Sequence, residues 1–147
     1  MHRPVIAPTP DSPASQAVGL DLDGTLAQDH GWQGGRIGLP QPGAMDALRL
    51  LARHRAVFIY TARPRRWLPE VADWITWYSG IAAFVDPSPD RAYWTIVGGP
   101  ILVTSTKLGA AAYVDDRAVH HAGDWTDTLA IVSRAIGLDR AGVLVPA

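Results

Sequence analysis

The chain contains no cysteine, which excludes disulfide bridges and thiolate metal sites and fits a reducing, cytoplasmic setting. It lacks an excess of either charge: 13 Lys and Arg stand against 14 Asp and Glu, for a formal net charge of -1. Global attraction to nucleic acid or to a membrane surface is therefore not expected. No apolar run approaches the roughly 18 to 20 residues that span a bilayer, so no membrane partner is expected either. The opening MHRPVIAPTPDSPASQ has four prolines and no apolar h-region, and does not read as a secretory signal.

What remains is a soluble globular chain. Its 147 residues, 48% of them hydrophobic, fit one domain with a real core. Residues 1–16 read as a flexible, Pro-rich leader, 17–138 as a single domain, and 139–147, ending in GVLVPA, as a tail or edge strand. Between them, apolar β-rich runs at 17–22, 56–60, 81–85 and 110–116 alternate with helical periodicities at 43–54, 68–79 and about 124–136. Gly80 and Gly137 are natural helix stops, and Asp124 or Asp127 suits a helix start. Two β-like runs flank Gly98-Gly99-Pro100, which predicts a β-hairpin insertion within 86–105. The alternation implies an α/β, Rossmann-like three-layer sandwich with a mainly parallel sheet.

The chemistry begins at VGLDLDGTL, residues 18–26. Asp21 and Asp23 are separated by one residue at the end of an apolar strand, so they start on the same face, and Gly24 lets the chain turn at once. Two acids there repel unless something positive sits between them, and oxygen-rich pairs suit Mg2+. The plainer reading is a strand ending in turn residues. Thr61, Asp115 and Asp116 also fall at predicted strand ends, and in parallel α/β sheets ligands gather outside the carboxyl ends of the strands.

With DLDGT at 21–25, Thr61 in YTAR, Lys107 in STKL and Asp115-Asp116 in VDDR, the chain resembles the haloacid dehalogenase-like hydrolase superfamily. The four motifs stand in order across residues 17 to about 136. The resemblance implies a Mg2+-dependent phosphatase acting through an aspartyl-phosphate. Asp21 would be its nucleophile, Asp23 its general acid and base, and Thr61 and Lys107 its phosphoryl-binding groups. The Mg2+ ligands it implies are Asp21, Asp23 through its carbonyl, and Asp115, with Asp116 as a further ligand or a hydrogen-bonding partner of the ligands. Larger relatives carry a cap domain after the first motif or between the second and third. Here those places offer only about 20 residues at 24–43, a loop or small hairpin, and the hairpin-sized piece at 86–105. A capless relative implies a large phosphorylated substrate or a partner subunit that supplies the lid. Lys107 lies closer to Asp115 than in many relatives, so a tight turn or a short helical segment must carry it to the site.

Arg63 and Thr25 are candidates for substrate contact, with a surface role for Arg63 as the alternative. Arg65-Arg66-Trp67 reads either as a small nucleic-acid contact, charge beside a stacking aromatic, or as a solvated helix start with Trp67 packed inward. His120 and His121 follow the last acidic motif. Trp32 or Trp94 could mark the surface of a homo-oligomer, although tryptophan is more often a core residue. The competing functions are a nucleic-acid-end or nucleotide phosphatase, and a non-catalytic module of the same fold that binds a phosphorylated ligand. No organic cofactor is expected.

Overall fold

Short apolar runs become strands wherever turn residues bound them, and the amphipathic runs between them become helices. A computed structural model describes residues 16–31, 34–88 and 90–138. The elements in order are β1 (Val18–Leu20), α1 (Ala44–His54), β2 (Val57–Tyr60), α2 (Leu68–Ser79), β3 (Ala83–Val85), β4 (Ile101–Thr104), β5 (Ala112–Val114) and α3 (Trp125–Ile136). A single 3-10 turn, Arg65–Trp67, leads into α2. The leader, apart from Gln16, together with Trp32 and the 139–147 segment, lies outside the described residues. Among the described residues no helix is long and apolar enough to cross a membrane.

The five strands form one sheet in the order β3-β4-β2-β1-β5, and every pairing is parallel. The fold is thus the expected α/β arrangement, and neither connection where a cap would be inserted holds a separate domain. The hairpin expected within 86–105 is not formed. Ile101–Thr104 instead lies between β2 and β3 and pairs with both, while Tyr93–Val97 makes only one isolated bridge, from Val97 to Ala56. The reason is burial: all four residues of β4 are buried, so an outlying hairpin would have exposed a run that is apolar on both faces.

Alternation along the strands divides the core. Val18, Leu20, Val57, Ile59, Ile101 and Val103 join Leu48 and Ala52 of α1 and Leu68, Val71 and Ile75 of α2 in one cluster. Phe58 and Leu102 meet Trp94 and Leu108 in the other. Trp94, a candidate for an oligomer surface, is 5% exposed, with its ring 5.5 Å from that of Phe84. It is a core residue because its ring supplies the apolar anchor that holds the segment before β4 on the sheet.

The chain separates into two compact units, Met1–Asp116 and Arg117–Ala147. The first contains the whole sheet with α1 and α2. The second contains α3, whose N-cap Asp124 accepts the Thr126 N–H at 2.8 Å and whose C-cap is Gly137.

Sheet order fixes where a ligand can sit. From β1 the chain first crosses to β2 on one side and later returns as β5 on the other. The carboxyl end of β1 is therefore a topological switch point, where the flanking connections diverge and leave a crevice. Asp21 is the first residue past β1, Asp115 the first past β5 and Thr61 the first past β2.

Candidate metal centre

Parallel pairing in register carries the three strand ends to one level. Leu20 pairs with Val114, and the Asp21 N–H donates to the Val114 carbonyl at 2.9 Å, so the residues that follow β1 and β5 emerge side by side. The result is a cluster of three carboxylates. Ligand oxygens of Asp21, Asp115 and Asp116 all lie within 4.8 Å of one another.

Beyond Asp21 the backbone closes a tight turn in which the N–H groups of Thr25, Leu26 and Ala27 all donate to the Leu22 carbonyl. The turn brings Thr25 back over the cluster. Its hydroxyl donates to Asp21 Oδ2 at 3.4 Å and accepts the Asp116 N–H at 3.1 Å. Thr25 thus joins the two acidic motifs. Gly24 has φ +83°, and a Cβ there would stand 2.2 Å from Asp116 Oδ2. The glycine of DLDGT is required twice, by its left-handed backbone and by the carboxylate against it. Gly24→Ala is expected to destabilise the fold by about 1–2 kcal/mol from backbone strain alone. It should also push Asp116 aside, and titration with a divalent cation, followed by thermal unfolding, should show weakened binding.

Crowding has an electrostatic signature. The Asp21 carboxyl is raised from 3.8 to about 6, chiefly because burial disfavours its charge, with Asp115 and Asp116 adding repulsion. A cation among the three would relieve both effects. Hard oxygen donors at this spacing fit Mg2+, Ca2+ or Mn2+ better than a metal that prefers sulfur or nitrogen.

Asp23 points elsewhere. Its two oxygens accept a fork from Arg63, Nε to Oδ2 and Nη2 to Oδ1, each at 2.8 Å. The same pairing raises the Arg63 guanidinium above its ordinary value. Thr61 is 1% exposed. Its N–H continues the ladder to the Thr104 carbonyl at 3.1 Å, and its Oγ1 accepts the Arg63 N–H at 3.2 Å. Lys107 places its ammonium 4.9 Å from the centre of the Tyr113 ring, a cation–π contact. The structure thus brings Asp21, Thr25, Asp115 and Asp116 together and links Asp23 to the Thr61 loop through Arg63.

The remaining candidates have local partners. Arg65 donates to the Asp86 carbonyl at 2.7 Å, and Arg66 stands 5.7 Å from the centre of the Trp67 ring. His121 pairs with Thr128 Oγ1 at 2.6 Å and stacks near Trp125, with ring centres 4.7 Å apart. One charged residue escaped sequence reasoning altogether. Asp86, the first residue past β3, is 1% exposed and accepts from Ser88 N–H at 2.9 Å and Arg91 Nε at 3.0 Å. Its position at a strand end was the available signal, but β3 is the sheet edge, far from the switch point.

No family model matches the chain, and no curated protein matches it. Among solved structures, the fold is similar to that of a conserved protein from Bacteroides thetaiotaomicron. The two share 23% identity over 90% of this chain and 99% of that one, with a TM-score of 0.51. At that identity the likeness is one of fold.

Proposed function

We propose that the protein is a Mg2+-dependent phosphate monoester hydrolase of the haloacid dehalogenase-like type, working through an aspartyl-phosphate. The observation that carries this reading is the meeting of Asp21, Asp115 and Asp116 within 4.8 Å at the switch point of a parallel sheet. The four motifs of that superfamily, in order along the chain, support it.

Asp21, Asp115, Asp116 and the Asp23 carbonyl would hold the ion. Bound there, Mg2+ supplies positive charge that lets an anionic carboxylate approach an anionic phosphate. Everything else falls to the protein. An Asp21 oxygen forms a bond to phosphorus as the bond to the leaving oxygen breaks, and Asp23, entering this step in its protonated form with one oxygen still accepting from Arg63, hands that oxygen a proton. Asp23, now a carboxylate, takes a proton from water. The resulting hydroxide attacks the aspartyl-phosphate, releasing inorganic phosphate and restoring Asp21. Thr61 would hydrogen-bond the transferring group and Lys107, turned from the Tyr113 ring, would neutralise its charge. The 3.4 Å hydrogen bond from Thr25 to Asp21 directs one carboxylate oxygen and leaves the other for attack.

The test is turnover. Protein stripped with chelator is expected to be inactive on a panel of phosphate monoesters and to recover when Mg2+ is restored. Mg2+ binding without turnover of any ester would favour the non-catalytic binding module instead. With no cap in either customary place, the substrate proposed is large or is enclosed by a partner subunit, and a nucleic-acid end is the alternative class. If it is a nucleic-acid end, a 3'-phosphorylated oligonucleotide should be hydrolysed, with activity falling between 50 and about 200 mM salt. A salt-insensitive preference for small esters would contradict that class.

A further inference from the structure

Resting on the phosphatase reading above, one buried ion pair goes beyond it. Arg63 lies two residues past Thr61, and its side chain is 7% exposed against 29% for that of Asp23. A guanidinium that far from solvent must have its donors satisfied. Two of them form the planar fork on Asp23 described above. Nη1 donates to the Gly35 carbonyl in a short contact, and Nη2 reaches the Arg36 carbonyl at 3.5 Å.

The loop that supplies those carbonyls is itself fixed. A Cβ at Gly35 would lie 2.7 Å from the Trp67 ring, so that ring packs directly on the backbone. Trp74 Nε1 donates to the Gly38 carbonyl at 3.0 Å. Farther down, Gln28 N–H donates to the Leu39 carbonyl and Gln41 N–H to the Leu26 carbonyl, both at 2.8 Å. Arg63 is thus tied to a braced loop on one side and to Asp23 on the other.

We infer that Arg63 is a positioning residue, which fixes the plane and distance of the Asp23 carboxylate and does not bind substrate. A fork held at two points sets both the direction and the rotation of a carboxylate. A lysine at the same place keeps the charge but offers only a point contact. Proton transfer to the leaving oxygen depends on where Asp23 lies, so the loss belongs in kcat and not in KM.

The experiment compares the wild type, Arg63→Lys, Asp23→Asn and the double variant on an alkyl phosphate and on p-nitrophenyl phosphate, with thermal unfolding in parallel. Arg63→Lys is expected to lower kcat on the alkyl ester by about 10- to 100-fold, with KM within about twofold. In the phosphoryl-transfer step, read by single turnover, the loss should be smaller on the aryl ester, whose leaving group departs without a proton, and the loss in kcat should vanish in the Asp23→Asn background. If Arg63→Lys does not fold, Arg63→Gln, which keeps an N–H donor but not the fork, serves the same comparison.

A raised KM with kcat held would make Arg63 a substrate contact and overturn the inference. An equal loss with and without Asp23 would overturn it as well, as would an equal loss on both esters in the phosphoryl-transfer step or an unchanged kcat. A wild type that turns over no ester overturns the phosphatase reading itself, and is plainly distinct from an active wild type indifferent to Arg63.

Discussion

Asp21→Asn is expected to abolish phosphate ester hydrolysis, by about a thousandfold or more, because removing a nucleophile eliminates the covalent route and leaves only binding and charge stabilisation. The amide oxygen of asparagine is a poor nucleophile, yet the residue is nearly isosteric and still accepts the hydrogen bond that Thr25 directs at Asp21. The fold should survive. At pH 7.5, without metal, the variant should be at least as stable as the wild type. The Asp21 carboxyl, raised to about 6 by burial and by its acidic neighbours, is ionised there against the preference of its surroundings. Steady-state kinetics and thermal unfolding on one preparation check both halves. Substantial residual turnover would remove Asp21 as the nucleophile, and a large loss of stability would show it to be a structural acid.

The second large effect joins cation and proton. The folded protein holds the Asp21 proton more tightly than the unfolded chain does, since about 6 exceeds the ordinary 3.8. In that window the native state binds more protons, so stability without metal rises as pH falls from about 6 to about 4 and is lost as pH climbs back through 6. For a partly exposed carboxyl the contribution is at most about 1–2 kcal/mol, and Asp21→Asn should flatten it. A divalent cation reverses the trend. At pH 7.5 and a hundred times its Kd it should stabilise the fold by about 2.7 kcal/mol, a rise of several degrees in Tm. At pH 5 protons compete for Asp21 and the rise should shrink. Thermal scans with and without Mg2+ at the two pH values test this, and a shift that is equal at both, or unchanged in Asp21→Asn, would place the ion elsewhere.

The helices and most strands were legible in the sequence because their signals are local. Leu48 and Ala52 of α1 and Val71, Ala72 and Ile75 of α2 recur at helical spacing, and Gly80 stops α2 in a left-handed cap. The acid cluster was legible for a related reason: parallel strands bring their carboxyl ends to one edge, so acids just past β1 and β5 must approach. What escaped was strand order. Nothing near Ile101–Thr104 says that it enters between β2 and β3, and the glycines before it imitate a hairpin. Its fully buried ILVT run was the one available clue.

Long-range pairing escaped in the same way. Arg63, read as a substrate contact or a surface residue, meets an acid 40 positions away. The loop that completes its shell has no periodicity to announce it. Trp94, read as either a core or an oligomer-surface aromatic, is held in the core through Phe84, a choice set by tertiary packing alone.

Crystals grown or soaked with Mn2+ and measured at a wavelength where manganese scatters anomalously would locate the ion outright. One strong anomalous peak is expected between the Asp21 and Asp115 carboxylates, with Asp116 beside it, and it should be absent from Asp21→Asn crystals. Ordered carboxylates at millimolar Mn2+ with no peak among them would refute the metal centre, and the phosphatase built on it.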